Sequence, residues 1–90
     1  FIEIMTLTAC ALAFCERLEA AGYATMVYGN AGDMARYDRT ALGGRPVWFA
    51  EYHVATPNAP FDFTLWQYSN SGDVQGVSTP VDMNLLFPEP

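Results

Sequence analysis

Apolar positions recur through the first quarter of the chain at helical spacing. Leu7, Ala11, Phe14 and Leu18 fall on one face of a helix, and Glu16, Arg17 and Glu19 lie mainly on the other. This predicts a helix over about Leu7–Ala21. Thr6 or Thr8 would cap it through a hydroxyl oxygen that accepts from a first-turn amide. Gly22 would end it by taking the left-handed conformation. Ahead of the helix, Phe1–Met5 reads as a short strand. Behind it, Ala24–Tyr28 has little polar alternation and reads as a strand covered on both faces, as in a parallel sheet. Gly29-Asn30-Ala31-Gly32 is then a turn. Asp33 would cap a second, shorter helix reaching about Leu42, with Met34, Tyr37 and Leu42 inward and Gly43-Gly44 at its end. Three further strands are predicted, over Pro46–Tyr52, Phe63–Tyr68 and Val81–Leu86. A Pro- and Asn-bearing loop (Thr56–Pro60) precedes the second of these, and a turn-rich connection (residues 69–80) precedes the third. The order is β-α-β-α-β followed by two strands without intervening helices. That pattern predicts an α/β fold with a parallel sheet or part of a barrel, with residues 1–87 as one domain and 88–90 as a tail.

Composition narrows this picture. Ninety residues allow at most one small domain. With 51 % apolar and 16 % charged residues, disorder is excluded, and much of the chain is expected to be covered. Four basic against ten acidic residues give a net charge of −6, the wrong balance for phosphate-driven nucleic-acid binding. No apolar stretch reaches the roughly 18 residues of a membrane span, and no basic-then-apolar leader marks a signal peptide. The chain opens on Phe1-Ile2-Glu3-Ile4, which resembles an interior strand, so it is expected to be a piece of a longer protein. Cys10 and Cys15, five apart on one helix, would have Cα atoms roughly 8–9 Å apart by helix geometry. That is too far for a disulfide, and both read as small buried thiols.

The chemistry-bearing residues cluster late. Trp66-Gln67-Tyr68 ends a strand with three large polar-tipped side chains, a mixture of apolar faces, donors and acceptors that suits a sugar. In parallel α/β folds ligands bind at the carboxyl ends of the strands. Those ends carry Tyr28, Glu51-Tyr52-His53 and Trp66–Tyr68, with Asp82 nearby. Polar strand ends also arise simply because they meet water, and this alternative stands for Tyr28 and Tyr52. Glycoside hydrolysis uses paired carboxylates, which nominates Glu51 and Asp82 as catalytic; the alternative for each is a structural carboxylate bonded to backbone or tyrosine. His53 reads as a loop residue. No Gly-x-Ser-x-Gly elbow, phosphate-cradling glycine loop, His-Glu-x-x-His or Cys-x-x-Cys occurs.

Four stretches together resemble the glycoside hydrolase family 25 lysozymes: Ala13–Tyr23 with Met26-Val27-Tyr28; Trp48-Phe49-Ala50-Glu51-Tyr52; Phe63–Ser69 with Gly72; and Gly76-Val77 with Val81-Asp82-Met83-Asn84. The resemblance implies part of a modified (β/α) barrel with an acidic groove. It implies a muramidase that cleaves the β-1,4 bond between N-acetylmuramic acid and N-acetylglucosamine in peptidoglycan, outside the cell or in the cell wall, without a metal or other cofactor. Asp82 then matches an aspartate of the active-site floor, Tyr28, Tyr52, Trp66 and Gln67 match positions that line or support the groove, and Tyr68 beside them is expected to bind substrate as well. The family's principal Asp-x-Glu pair is absent from this sequence. The expectation is therefore the carboxyl-terminal half of such an enzyme, inactive alone and needing the amino-terminal half of the barrel. The alternative is a non-catalytic glycan-binding module or an inactive remnant.

Overall fold

The computed structural model describes residues 2–88; Phe1 of the expected first strand and Glu89 and Pro90 of the expected tail lie outside them. The elements are α1 (Ile2–Ala20), β1 (Val27–Gly29), α2 (Ala31–Met34), β2 (Val47–Ala50), β3 (Leu65–Gly72) and β4 (Val81–Leu86). They form a four-stranded sheet in the order β1-β2-β3-β4. The first three strands run parallel, and β4 returns antiparallel to β3. This is the α/β architecture expected of a partial barrel.

The expected amino-terminal strand does not form. Residues 2–5 continue α1, because nothing between Phe1 and Gly22 is a glycine or proline that would stop the helix. Thr6 and Thr8 are consequently interior positions and cap nothing. The buried Thr8 hydroxyl instead donates to the Ile4 carbonyl at 2.7 Å and accepts from the Asp38 amide at 2.9 Å. One side chain thus docks the turn at Asp38 onto the helix. At the other end Gly22 has φ +96°. Its N–H reaches the Glu19 carbonyl and that of Tyr23 reaches the Leu18 carbonyl, the paired bonds of a Schellman stop. Phe14, expected inward, is exposed, and of the two cysteines only Cys15 is buried.

The second helix is four residues long, far shorter than predicted, and its cap is Asn30 rather than Asp33. The Asn30 side chain accepts from the Asp33 amide, and the Asp33 carboxylate accepts from the Asn30 amide. This reciprocal box satisfies two orphan donors. The chain then turns through residues 35–44 without helix, yet Met34 and Leu42 still reach the core at 1 % and 3 % exposure.

Register assigns the two faces of the sheet, because in-register partners project to the same side and neighbours along a strand to opposite sides. Val27 pairs with Val47, and Gly29, Phe49, Trp66 and Leu85 lie in one row. This is the helix-covered face. Val27, Met34 and Leu42 pack there with Ala11, Leu12, Tyr37, Val47 and Phe61. Phe49 is sealed between Phe61 and Phe63, with ring centroids at 5.4 and 5.5 Å. The opposite face carries Tyr28, Trp48, Leu65 and Leu86 in one row and Ala50, Gln67 and Asn84 in the next. In a closed barrel the first face meets the outer helices and the second lines the interior.

β3 runs on to Gly72, past the expected end at Tyr68, and its pairing with β4 is irregular between Gln67 and Ser69 and again between Ser69 and Gly72. Gly72 is required there by close approach: a Cβ would lie 2.3 Å from Met83 Cγ.

Candidate active-site face

The candidate site lies on the open face and at the carboxyl ends of the parallel strands. Gln67, in the middle of the sheet, is 2 % exposed although it belongs to the open face. Two tyrosines cover it. The Tyr28 hydroxyl donates to Gln67 Oε1 at 2.6 Å, and the Tyr52 hydroxyl donates to the same oxygen. Tyr28 stands on β1, and Tyr52 stands two residues beyond β2, so one buried amide ties three successive strands together at their carboxyl ends.

The Tyr28 ring is half-exposed. Its edge meets Trp48 with centroids 4.9 Å apart at 73°. Trp48 Nε1 in turn donates to Asn84 Oδ1 at 2.8 Å, which carries the network across to β4. The exposed Asp82 side chain lies two residues earlier on β4 and so shares Asn84's face. The Tyr28 hydroxyl is pushed up to about 12, first by the adjoining Tyr52 hydroxyl, then by burial, and further by the charges of Tyr52, Asp82 and Asp33. Tyr28 therefore keeps its proton across the physiological range.

The structure brings Tyr28, Tyr52 and Gln67 into one cluster with Asp82 beside it. It does not bring Trp66 or Tyr68 there. Trp66 is buried on the helix-covered face with its Nε1 donating to the Glu51 carbonyl at 3.0 Å, and Tyr68 packs against it at 5.8 Å. The carboxylate of Glu51 is also committed. One oxygen accepts from the Asn58 amide at 2.7 Å, and the other accepts from Asn58 Nδ2 at 3.2 Å. With the Trp66 bond, this clamps the crossover loop that replaces a helix between β2 and β3. His53 sits in the same loop at φ +61°. Trp48 and Asn84 were not singled out by sequence. Period-two alternation gives the signal that finds Asn84, which shares a strand face with Asp82, whereas Trp48 joins Tyr28 only through the β1–β2 register.

Among the described residues no group of three or more His, Cys, Asp or Glu side chains could hold a metal ion, and no helix is long and apolar enough to cross a membrane.

Comparison with known proteins converges on one family. The family model for glycosyl hydrolases family 25 matches residues 3–77. The autolytic lysozyme of Clostridium acetobutylicum is 44 % identical over 39 residues, 43 % of this chain and 12 % of that protein. Lysozyme M1 of Streptomyces globisporus is 48 % identical over 42 residues, 43 % of this chain and 14 % of that protein. Among solved structures, the CTP1L endolysin matches with a TM-score of 0.74 at 28 % identity, over 88 % of this chain and 29 % of its own. The spore cortex lytic enzyme SleM of Clostridium perfringens matches with a TM-score of 0.62 at 27 % identity, over 83 % of this chain and 29 % of its own. The chain thus spans less than a third of the relatives it matches. The family model covers most of the chain's length, so the chain belongs to glycosyl hydrolase family 25.

Proposed function

We propose that this chain forms part of the substrate groove of a peptidoglycan-hydrolysing lysozyme, an N-acetylmuramidase acting on cell-wall glycan strands outside the cell or in the wall. The observation that carries this reading is the open face itself. Asp82, Tyr28, Tyr52 and Trp48 meet there on the side of the sheet that lines a barrel's interior, in a chain that matches lysozymes.

Hydrolysis of a β-1,4 glycosidic bond needs a carboxyl group to protonate the departing sugar oxygen and a second to stabilise or capture the positive sugar ring, with one water consumed overall. Asp82 supplies one carboxylate at the groove floor. Glu51, whose oxygens hold Asn58, shapes the loop beside the site. Tyr28, Tyr52 and Trp48 offer a sugar ring apolar surface and polar edges. The remaining carboxyl chemistry belongs to the rest of a family-25 barrel.

A chimera tests this. The superposed part of the CTP1L endolysin is replaced by this chain, and new reducing ends are counted on purified peptidoglycan. The folded chimera is expected to hydrolyse the wall, and Asp82→Asn is expected to lower its kcat by roughly 10²-fold or more. A folded chimera that binds and cuts nothing contradicts the reading. The second reading is glycan binding without hydrolysis, with Tyr28, Tyr52 and Trp48 stacking on sugar rings and Asp82 bonding hydroxyls. It predicts retention on peptidoglycan with no new ends in any context.

A further inference from the structure

Gln67 poses a problem for a simple contact role. It is 2 % exposed, beneath Tyr28 and Tyr52 on the open face, so a glycan lying on that face meets the tyrosines before it meets the amide. Its Oε1 receives two phenol hydrogens at once. A phenol has one hydrogen to donate, and its oxygen can also accept. When Tyr28 and Tyr52 both donate inward, neither has a hydrogen left for a ligand.

We infer that Gln67 is a positioning residue that pins the hydroxyls of Tyr28 and Tyr52 inward, so that both phenol oxygens face the groove as acceptors and select for O–H and N–H groups on the sugar. This rests on the reading of the open face as a glycan site. The neighbouring groups agree with the assignment. Asp82 adds a further acceptor. Asn84 spends its oxygen on Trp48, which leaves its Nδ2 as the donor on this side. Tyr28 holds its proton to about 12, with Tyr52, Asp82 and Asp33 as the ionisable groups acting on it. An acceptor-rich wall suits a hydroxylated, N-acetylated glycan, whose hydroxyls and acetamido N–H groups are donors. The opposite amide orientation, with Nε2 toward the phenols, would reverse the wall and make both tyrosines donors to the ligand.

The Raman ring doublet of tyrosine distinguishes a donating from an accepting hydroxyl. Difference spectra of the full chain against Tyr28→Phe and Tyr52→Phe isolate the two residues. Both are expected to show the donor signature. The signature is expected to vanish in Gln67→Met, which keeps length and removes the acceptor, and to return in Gln67→Glu. Retention on uncross-linked peptidoglycan glycan strands is expected to weaken roughly fivefold to tenfold in Gln67→Met. No further loss is expected when Gln67→Met is added to the Tyr28→Phe/Tyr52→Phe double variant, and Gln67→Glu is expected to restore binding. An accepting signature in the wild-type chain overturns the inference, as does a donor signature that survives Gln67→Met in folded protein. Additive loss in the combined variant overturns it too, because Gln67 would then touch the sugar itself. If Gln67→Met does not fold, the wild-type difference spectra alone decide the orientation. If the wild-type chain retains no glycan, the reading of the open face as a glycan site falls, and the spectra still decide what Gln67 does.

Discussion

The two faces of the sheet use the same residue types for opposite ends. On the helix-covered face an indole, Trp66, is buried, and its N–H serves the backbone of a crossover loop. On the open face a second indole, Trp48, spends its N–H on an exposed asparagine and its ring on the edge of a half-exposed tyrosine. The sealed face is closed by aromatic and aliphatic packing around Phe49, Met34 and Leu42. The open face is closed only where a buried amide draws two tyrosines over itself. What differs is where the polar tips go: into the protein's own backbone on one side, into a side-chain network on the open face on the other. A strand run that looks functional by composition can therefore belong in part to the scaffold, while the residues of the open face alternate with it.

The contrast breaks most visibly at the core of the sealed face. Phe49→Ala, at a site 1 % exposed with two ring neighbours, is expected to lower unfolding free energy by about 3–5 kcal/mol in urea titrations monitored by circular dichroism. Loss of under 1 kcal/mol would show that this face is not the organising core. The two indoles give a sharper comparison. Trp66→Phe leaves the Glu51 carbonyl without its partner and is expected to cost about 1–3 kcal/mol, whereas Trp48→Phe removes an exposed bond and is expected to cost about 0.5 kcal/mol while weakening glycan retention. Equal stability losses, or a binding loss confined to Trp66→Phe, would erase the distinction between the faces.

The smallest effect lies at the rim of the helix. Arg45 grips Glu19 through two bonds of 2.9 and 2.8 Å, and Thr25 adds a third. Together they hold the Glu19 carboxyl down to about 2 from an ordinary 4.5. A depressed folded-state value stabilises the fold above the ordinary value, and that contribution is lost as pH falls through the folded one. The melting-temperature gap between wild type and Glu19→Gln should therefore be fully open at pH 6, narrow below about pH 4.5 and close near pH 2. Because both partners are partly in water, the gap should also shrink with salt. A gap that is unchanged at pH 2 would contradict the ion pair.

Much of the scaffold was legible because it follows from periodicity. The existence of α1, the stop at Gly22, the parallel order of the first strands and the span of β4 all follow from local pattern, whereas the inward face of α1 does not, since Phe14 points to solvent and Thr8 and Cys15 are buried. The misreadings have a common cause: the reading of each stretch was overruled by residues outside it. Ile2–Met5 alternates like a strand but continues into a helix with nothing to interrupt it. Asp33 is a good cap in isolation, but Asn30 stands three residues earlier and captures its amide. Thr8 looks like a cap until Asp38, thirty residues away, claims its hydroxyl.

The candidate site was legible as a set of residue types and less so as a surface. Tyr28, Tyr52, Gln67 and Asp82 were identifiable from their place at strand ends. Their neighbours Trp66, Tyr68 and Glu51 look the same in sequence. Only register separates Gln67 from the residues on either side of it, because adjacent positions on a strand face opposite ways. Strand register depends on pairing with residues far away in sequence, and no single stretch encodes it.

The central claim is that the open face binds the glycan and the helix-covered face does not. The most direct measurement is an NMR titration of the isotopically labelled chain with soluble, uncross-linked peptidoglycan glycan strands. The account predicts shift changes at Tyr28, Tyr52, Asp82, Asn84 and the Trp48 indole N–H, with the Trp66 indole N–H and Phe49 unmoved. Changes centred on Trp66 and Tyr68, or no change at all in a folded chain, would contradict it.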